Sequence, residues 1–146
     1  MTRSTNPVRP TIVLRNREYE AKKKIHQAEL SNLYYLRKTA KKPVQRREIE
    51  EEINMKVIDW NLKFPIDKNY YDLHGMTRDG ARQFARDLVY RATVPMVFRF
   101  ETGRGNHSKN GVPLIKMGLL EEFKRMHRCS VTVEEHNSGV LLVEVW

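Results

Sequence analysis

Apolar positions in the first half of the chain recur at helical spacing. Residues 18–42 contain no Gly or Pro and are rich in helix formers, which predicts one helix ending near Pro43. After Pro43, apolar side chains recur at intervals of four, four and three residues, which aligns them into one stripe on a second helix. The members of this stripe are Ile49, Ile53, Val57 and Trp60. The stripe predicts that the second helix packs against another part of the chain.

The second half of the chain alternates between strand-like and helix-like segments. Strands are predicted at 70–73, 95–101, 130–135 and 140–145, and helices at 77–91 and 113–126. The tetrapeptide HNSG, with Gly139 available for positive φ, predicts the turn between the last two strands. The expected fold class is α/β, with a βαβαββ order, two packed helices and a preceding helical extension. Its mixed four-stranded sheet has three strands that run in one direction and an antiparallel last strand.

Composition divides the chain into three predicted parts. Residues 1–15 contain Pro7 and Pro10 and are predicted to be a disordered basic tail, and residues 16–64 a helical extension. Pro65 and the DKN sequence that follows it indicate a boundary, so a compact domain is expected over 69–146.

The net charge of +9 lies mostly in the N-terminal third. Residues 1–47 carry 13 Lys or Arg against 3 acidic residues, whereas residues 70–146 carry 11 against 9. A basic segment of this kind favours polyanions, because binding to phosphates releases condensed counterions, although it can also be merely solubilising. Charge alone therefore gives nucleic acid only a slight advantage.

The sequence indicates a soluble protein of a reducing compartment. No stretch approaches the ~20 apolar residues of a membrane span. The lone Cys129 cannot form an intramolecular disulfide, and the N-terminus lacks the apolar segment of a secretory signal. A cytoplasmic location is expected, with the nucleus as the alternative, and the protein is expected to be a monomer.

Polar side chains stand where two of the predicted strands end. Side chains alternate along a strand, so Asp72 and His74 in YDLHG share one face at the end of the first strand. The second strand runs into TGRGNHSKNG. Ligands of open α/β sheets bind beyond the carboxyl ends of parallel strands, so both segments are expected on one rim.

The second segment has the composition of an anion-binding loop. Gly103, Gly105 and Gly111 permit positive φ and bring backbone N–H groups close to an anion, and Arg104 offers a planar fork of donors to phosphate. The order GxxxxGK[ST] of a P-loop is absent. Each segment also has a structural explanation: Asp72 could cap the next helix, and His74 could be a half-buried imidazole with its hydrogen bonds satisfied.

The motifs occur in a definite order: DLHG, a helix, a strand ending in TGRG, then NHSKNGVPLIK and a hairpin ending in SGVLLVEV. This order resembles the small MutS-related (Smr) domain. The resemblance covers residues 69–146, and the helices before it are similar to extensions found before such domains. It implies an endonuclease that cleaves RNA or nicks DNA, a role in mRNA surveillance, and association with ribosomes. Tyr71 departs from the family pattern, in which an aliphatic residue is usual there.

The resemblance and the residue chemistry together suggest roles at the rim. His74 would transfer a proton, Asp72 would orient it, Arg104 would stabilise charge on the phosphate, and His107 would be a second acid or base. The expected nucleic-acid contacts are Gly103, Arg104, Gly105, Asn106, Ser108 and Lys109. RNA is favoured over DNA. No metal ligands are assigned and no cofactor is expected to be required, with a divalent ion such as Mg²⁺ held by Asp72 and His74 as the alternative. A module that binds RNA or DNA without cutting is the competing hypothesis.

Overall fold

The computed structural model describes residues 8–103 and 113–146, and their side chains from residue 16 onwards. Two helices come first, and a mixed α/β arrangement follows, as predicted. The elements are α1 (Val8–Thr39), α2 (Pro43–Lys63), β1 (Tyr70–Asp72), α3 (Arg78–Tyr90), β2 (Met96–Glu101), α4 (Leu114–Lys124), β3 (Cys129–Glu134) and β4 (Asn137–Val145). The βαβαββ order of the second half is thereby confirmed.

The first helix begins earlier than the sequence suggested. It starts at Val8, inside the segment 1–15 that was predicted to be a disordered tail. Pro10 lies in the first turn of this helix, where a missing backbone N–H costs no intrahelical hydrogen bond and the restricted φ suits the helix. Proline there marks the start of a helix, and the prediction was wrong for residues 8–15.

The sheet has the strand order β1-β2-β4-β3. Strands β1 and β2 are parallel, and β4 is antiparallel to both of its neighbours. The first three strands therefore share one direction and the last opposes them, as the sequence predicted. The position of β4 between β2 and β3 was not predicted, and it leaves β1 at one edge of the sheet.

The hairpin turn lies elsewhere than predicted. Strand β3 ends at Glu134 and β4 begins at Asn137, so Glu135 and His136 form the turn and Gly139 lies within β4. The carbonyl of Gly139 accepts a hydrogen bond from the backbone N–H of Thr102 at 2.8 Å. HNSG resembled a turn because of its composition, but its last three residues instead belong to β4, beside the end of β2.

One hydrophobic core joins the two predicted parts of the chain. Phe100 in β2 and Phe123 in α4 are fully buried, with ring centroids 6.0 Å apart. Ile53 and Val57 of α2 belong to the same core, as does Leu33 of α1. The apolar stripe of α2 thus packs against the α/β part, and the helical extension and the α/β part share their largest source of stability.

The stripe of α2 continues through a polar residue, not through Trp60. Asn61, four residues after Val57, is only 5% exposed. Its side chain pairs with the backbone of Asp72 in both directions: Nδ2 donates to the Asp72 carbonyl at 2.7 Å, and Oδ1 accepts from the Asp72 N–H at 2.8 Å. Trp60 instead stacks on His26 of α1 at a centroid distance of 4.4 Å. The amide of Asn61 therefore takes the place of a neighbouring strand at the outer edge of β1.

Within the part of the chain that the structure describes, no helix is both long enough and apolar enough to span a bilayer.

Replacement of Asn61 by Ala should destabilise the protein. It would leave the partly buried N–H and carbonyl of Asp72 without these partners, at up to about 1–3 kcal/mol for each unsatisfied group. We expect the free energy of unfolding in urea to fall by at least about 2 kcal/mol. Asn32→Ala, at an exposed position of α1, is the matched control and should change it by less than about 0.5 kcal/mol. Equal effects of the two substitutions would contradict the assigned role of Asn61.

Candidate active site

The ends of β1 and β2 lie side by side, as the sequence predicted. The Leu73 N–H donates to the Glu101 carbonyl at 2.8 Å, which continues the β1–β2 pairing past the last paired residues. Gly103 has a φ of +77°, and a Cβ added there would lie 3.6 Å from the Cβ of His74. The YDLHG segment and the start of the TGRG segment therefore meet at one rim of the sheet.

Asp72 and His74 form a hydrogen-bonded pair at this rim. His74 Nδ1 lies 2.6 Å from Asp72 Oδ1, and the same oxygen accepts from the His74 backbone N–H at 3.1 Å. An ionised carboxylate has no proton to donate, so Nδ1 carries the hydrogen and Nε2 is left to accept or donate at the surface. The His74 side chain is 57% exposed. The pair thus presents an oriented imidazole to solvent.

The sequence left open that Asp72 caps the following helix, and the structure assigns that role to another residue. Thr77 Oγ1 accepts from the Gly80 N–H at 3.1 Å, which makes Thr77 the N-cap of α3. Asn54 of α2 fixes Thr77 in turn: its Oδ1 accepts from the Thr77 N–H, and its Nδ2 donates to Thr77 Oγ1, each at 2.9 Å. Asp72 therefore does not cap α3, and its carboxylate binds His74 instead.

Two asparagines of α2 therefore bind the chain on both sides of His74. Asn61 binds the backbone of Asp72, and Asn54 binds Thr77. They are seven residues apart, or about two helical turns, so they lie on the same face of α2. The segment that carries His74 is a short loop, but it is anchored to a helix on either side of the imidazole.

A second carboxylate faces the pair. Glu101 lies directly opposite Asp72 in the β1–β2 register, and one side-chain atom from each of Asp72, His74 and Glu101 lies within 4.8 Å of the others. Tyr70 Oη donates to Glu101 Oε1 at 2.7 Å. Burial, together with this hydrogen bond, raises the pKa of Tyr70, so the phenol remains protonated and acts as a donor. The Tyr70 hydroxyl thus orients the Glu101 carboxylate beside His74.

The carboxylates control the protonation of the imidazole. The hydrogen bond from His74 Nδ1–H to the Asp72 carboxylate raises the pKa of His74 and outweighs partial burial, which acts in the opposite direction; the negative charges of Asp72 and Glu101 add to the rise. A raised pKa means that His74 keeps its proton to higher pH than a free imidazole does. It also means that the interaction of His74⁺ stabilises the fold fully below the ordinary imidazole pKa, and that this stabilisation is lost as pH rises through the folded-state value.

Helix α1 closes the other side of the loop. Gly75 has a φ of +87°, and a Cβ at this position would collide with the Tyr34 hydroxyl. Glycine is required here both by its left-handed conformation and by the close approach of Tyr34. The helical extension consequently forms part of the wall beside His74.

The remaining residues predicted for this site fall in the segment that follows Gly103. Arg104, Gly105, Asn106, His107, Ser108 and Lys109 lie outside the described residues, as does Gly111. Their assignments stay predictions from the sequence. Of the predicted site residues within the described ranges, Asp72, His74 and Gly103 are brought together.

Sequence reasoning missed four residues of this site: Asn54, Asn61, Glu101 and Tyr34. Asn61 had a signal, because it continues the spacing of Ile53 and Val57 by four residues on what should be a buried stripe. Glu101 precedes TG at the end of β2, but its position opposite Asp72 depends on strand register, which local sequence does not specify. Tyr34 carried no signal, since its partner Gly75 is about forty residues away.

Comparisons with known proteins give no further identification. No protein-family model matches the chain, and neither a curated protein nor a solved structure matches it significantly.

Asp72→Asn should lower the pKa of His74. The amide oxygen can still accept from Nδ1–H, but it removes the negative charge that favours imidazolium. An NMR titration of the His74 ring should show its midpoint moving to lower pH. A His74 midpoint unaffected by the substitution would show that the carboxylate does not control the imidazole.

Gly75→Ala should destabilise the protein by more than an ordinary surface substitution. The left-handed conformation alone costs an L-residue about 1–2 kcal/mol, and contact with the Tyr34 hydroxyl adds to that cost. Tyr34→Phe in the same chain should restore part of the loss, because it removes the colliding oxygen. Urea unfolding of both single variants and the double variant tests this coupling. Additive effects would mean that the two residues do not touch.

Proposed function

We propose that this protein is an endonuclease that cleaves phosphodiester bonds in RNA through acid–base chemistry at His74. The observation that carries the proposal is the 2.6 Å hydrogen bond between His74 Nδ1 and Asp72 Oδ1, in a side chain that remains 57% exposed at the sheet rim. An imidazole held in one tautomer by a carboxylate, in a side chain that is more than half exposed, is suited to proton transfer near neutral pH. The resemblance to Smr domains supports the same chemistry.

In the proposed reaction His74 Nε2 removes the proton from a ribose 2′-hydroxyl. The resulting 2′-oxygen attacks the adjacent phosphorus, and the bond to the 5′-oxygen of the next nucleotide breaks. A second acid protonates that leaving oxygen, for which the sequence suggests His107. The products are a 2′,3′-cyclic phosphate and a 5′-hydroxyl, and this step requires neither a water molecule nor a metal ion.

The positive charge required at the phosphate is proposed to come from Arg104. The chain enters that residue directly from Gly103, whose backbone lies beside His74. A guanidinium there would neutralise charge that develops on the non-bridging oxygens, and backbone N–H groups of a glycine-rich segment would add hydrogen bonds.

Asp72 would hold the imidazole and stabilise its protonated form without receiving the proton itself. Glu101 would add negative potential beside the ring, since its charge also raises the pKa of His74. A raised pKa makes the neutral imidazole a stronger base for the 2′-hydroxyl proton, and it also maintains at neutral pH a protonated fraction that can act as an acid.

A metal-dependent nuclease, able to nick DNA, is the second candidate. It is favoured by the proximity of Asp72, His74 and Glu101, whose potential ligand atoms lie within 4.8 Å of one another. Two carboxylates and an imidazole are a suitable set for a divalent ion that activates water. Against it, His74 Nδ1 is already bonded to Asp72, and Glu101 already accepts from Tyr70. The metal-free mechanism leaves the His74–Asp72 and Tyr70–Glu101 hydrogen bonds unchanged.

The proposed setting is cytoplasmic RNA, including RNA on ribosomes, as the Smr resemblance implies. The basic character of residues 1–47 supports affinity for a polyanion of either kind.

His74→Ala should abolish most cleavage and leave binding nearly intact. Loss of a general acid or base typically costs about 10²–10⁴-fold in rate, and an exposed rim side chain contributes little to the core. Cleavage of a labelled single-stranded RNA and its binding by fluorescence anisotropy should be measured on the same preparations. His136→Ala, also an exposed histidine, is the matched control and should cleave at the wild-type rate.

The substrate distinguishes the two mechanisms. A single 2′-deoxy substitution at the cut site should block cleavage there, and a chelator should have no effect. Cleavage that continues through the deoxy position but stops in chelator would support the metal-dependent candidate. Wild-type protein that binds RNA and DNA but cuts neither, with or without divalent ions, would disprove the nuclease proposal and leave a binding module.

A further inference from the structure

Helix α1 places an arginine next to the YDLHG segment. Tyr34 reaches Gly75, the residue after His74, with its hydroxyl. Three residues later on the same helix, the Arg37 guanidinium lies over the Tyr34 ring, with Cζ 5.3 Å from the ring centroid. Residues three apart are neighbours on a helix surface, so Arg37 lies one aromatic ring away from the loop that carries His74.

The electrostatic connection of this pair to the site is direct. The pKa of Tyr34 is raised first by burial and also by the negative charge of Asp72, whereas the Arg37 charge opposes the rise. Tyr34 is thus within electrostatic range of both Arg37 and the carboxylate that orients His74.

Arg37 has no acidic partner among the residues that the structure describes. All 18 Asp and Glu residues lie within the described ranges. The ion pairs of those ranges use Lys56, Lys63, His74, Arg78, Arg82 and Arg99, and none uses Arg37. Yet Arg37 is only partly exposed. A partly desolvated cation without a counterion is costly, and a bound anion would offset that cost.

The position of Arg37 suits a phosphate. A guanidinium that lies over an aromatic ring can direct its N–H donors away from the ring, where they can form two parallel bonds to phosphate oxygens. The simpler explanation is that Arg37 only shields the Tyr34 ring. That explanation predicts an effect on stability and none on ligand binding, so the two can be separated.

We propose that Arg37, supported on the Tyr34 ring, binds a backbone phosphate of single-stranded RNA next to the phosphate that is cleaved. The helical extension then contributes a specific contact to the site in addition to its general positive charge. The choice of RNA rests on the function proposed above, but the contact itself is tested by binding, independently of cleavage.

The test compares Arg37→Gln with Lys38→Gln, each in a chain that also carries His74→Ala so that substrate is not consumed. Both remove one positive charge from adjacent positions of α1, but Lys38 is exposed and points about 100° away from Arg37 around the helix. The probe is a fluorescein-labelled single-stranded RNA of twelve nucleotides, titrated by anisotropy over a range of salt concentrations.

Arg37→Gln should weaken binding about tenfold, as expected for loss of a hydrogen-bonded charged contact, and should lower the salt slope by ~0.7. Lys38→Gln should change the dissociation constant by less than about twofold. Equal losses in the two variants would mean that only net charge matters and would overturn the proposal. Thermal unfolding of each variant provides the check on folding.

Arg37→Lys is a second variant, which tests the contact if Arg37→Gln does not fold stably. Lysine keeps the charge and the aliphatic stem but lacks the fork, so binding should fall several-fold at unchanged melting temperature. Wild-type affinity in Arg37→Lys would overturn the proposal.

If the wild-type protein cuts RNA while neither Arg37 variant changes binding, the nuclease proposal stands and this inference fails. If it cuts nothing while Arg37→Gln still binds about tenfold more weakly than Lys38→Gln, this contact stands and the nuclease fails.

Discussion

A single buried amide, that of Asn61, connects the helical part of the chain to the strand end that carries Asp72. Its two hydrogen bonds to the Asp72 backbone fix the last residue of β1. The Asp72 carboxylate then fixes His74 through the ring and the backbone N–H. The orientation of an exposed imidazole therefore depends on a residue of α2 that never touches it. Because each of these hydrogen bonds is directional, a displacement of the Asn61 side chain would also change the position of His74 Nε2.

The rim combines opposite electrostatic tendencies within a small area. Asp72 and Glu101 make it negative and favour a protonated His74, whereas Arg37 on α1 supplies positive charge over the Tyr34 ring. The positive and the negative groups lie on different elements, since Arg37 belongs to α1 whereas Asp72 and Glu101 belong to the sheet.

Much of the fold was predictable because it follows from local periodicity. The element order, the directions of the strands and the shared rim of Asp72, His74 and Gly103 all followed from patterns a few residues long. Features that depend on distant pairing were not predictable: the insertion of β4 between β2 and β3, the approach of Glu101 to Asp72, and the contact of Tyr34 with Gly75. Two local predictions were wrong, at Pro10 and at HNSG. Proline is found in irregular segments but also in the first turn of a helix, and glycine is found in turns but also within strands, so residue type alone does not distinguish these cases.

The insertion of β4 has a consequence for how the protein folds. Strands β2 and β3 do not touch each other; each pairs with β4, and the β2–β4 register joins Met96 to Val145 and Glu101 to Val140. Until β4 arrives, β1 and β2 form only a three-residue ladder that is too short to persist alone. Sheet assembly thus waits for contacts between residues some forty or more positions apart, which slows folding. The rim depends on the same strand, since the Thr102 N–H donates to the Gly139 carbonyl of β4.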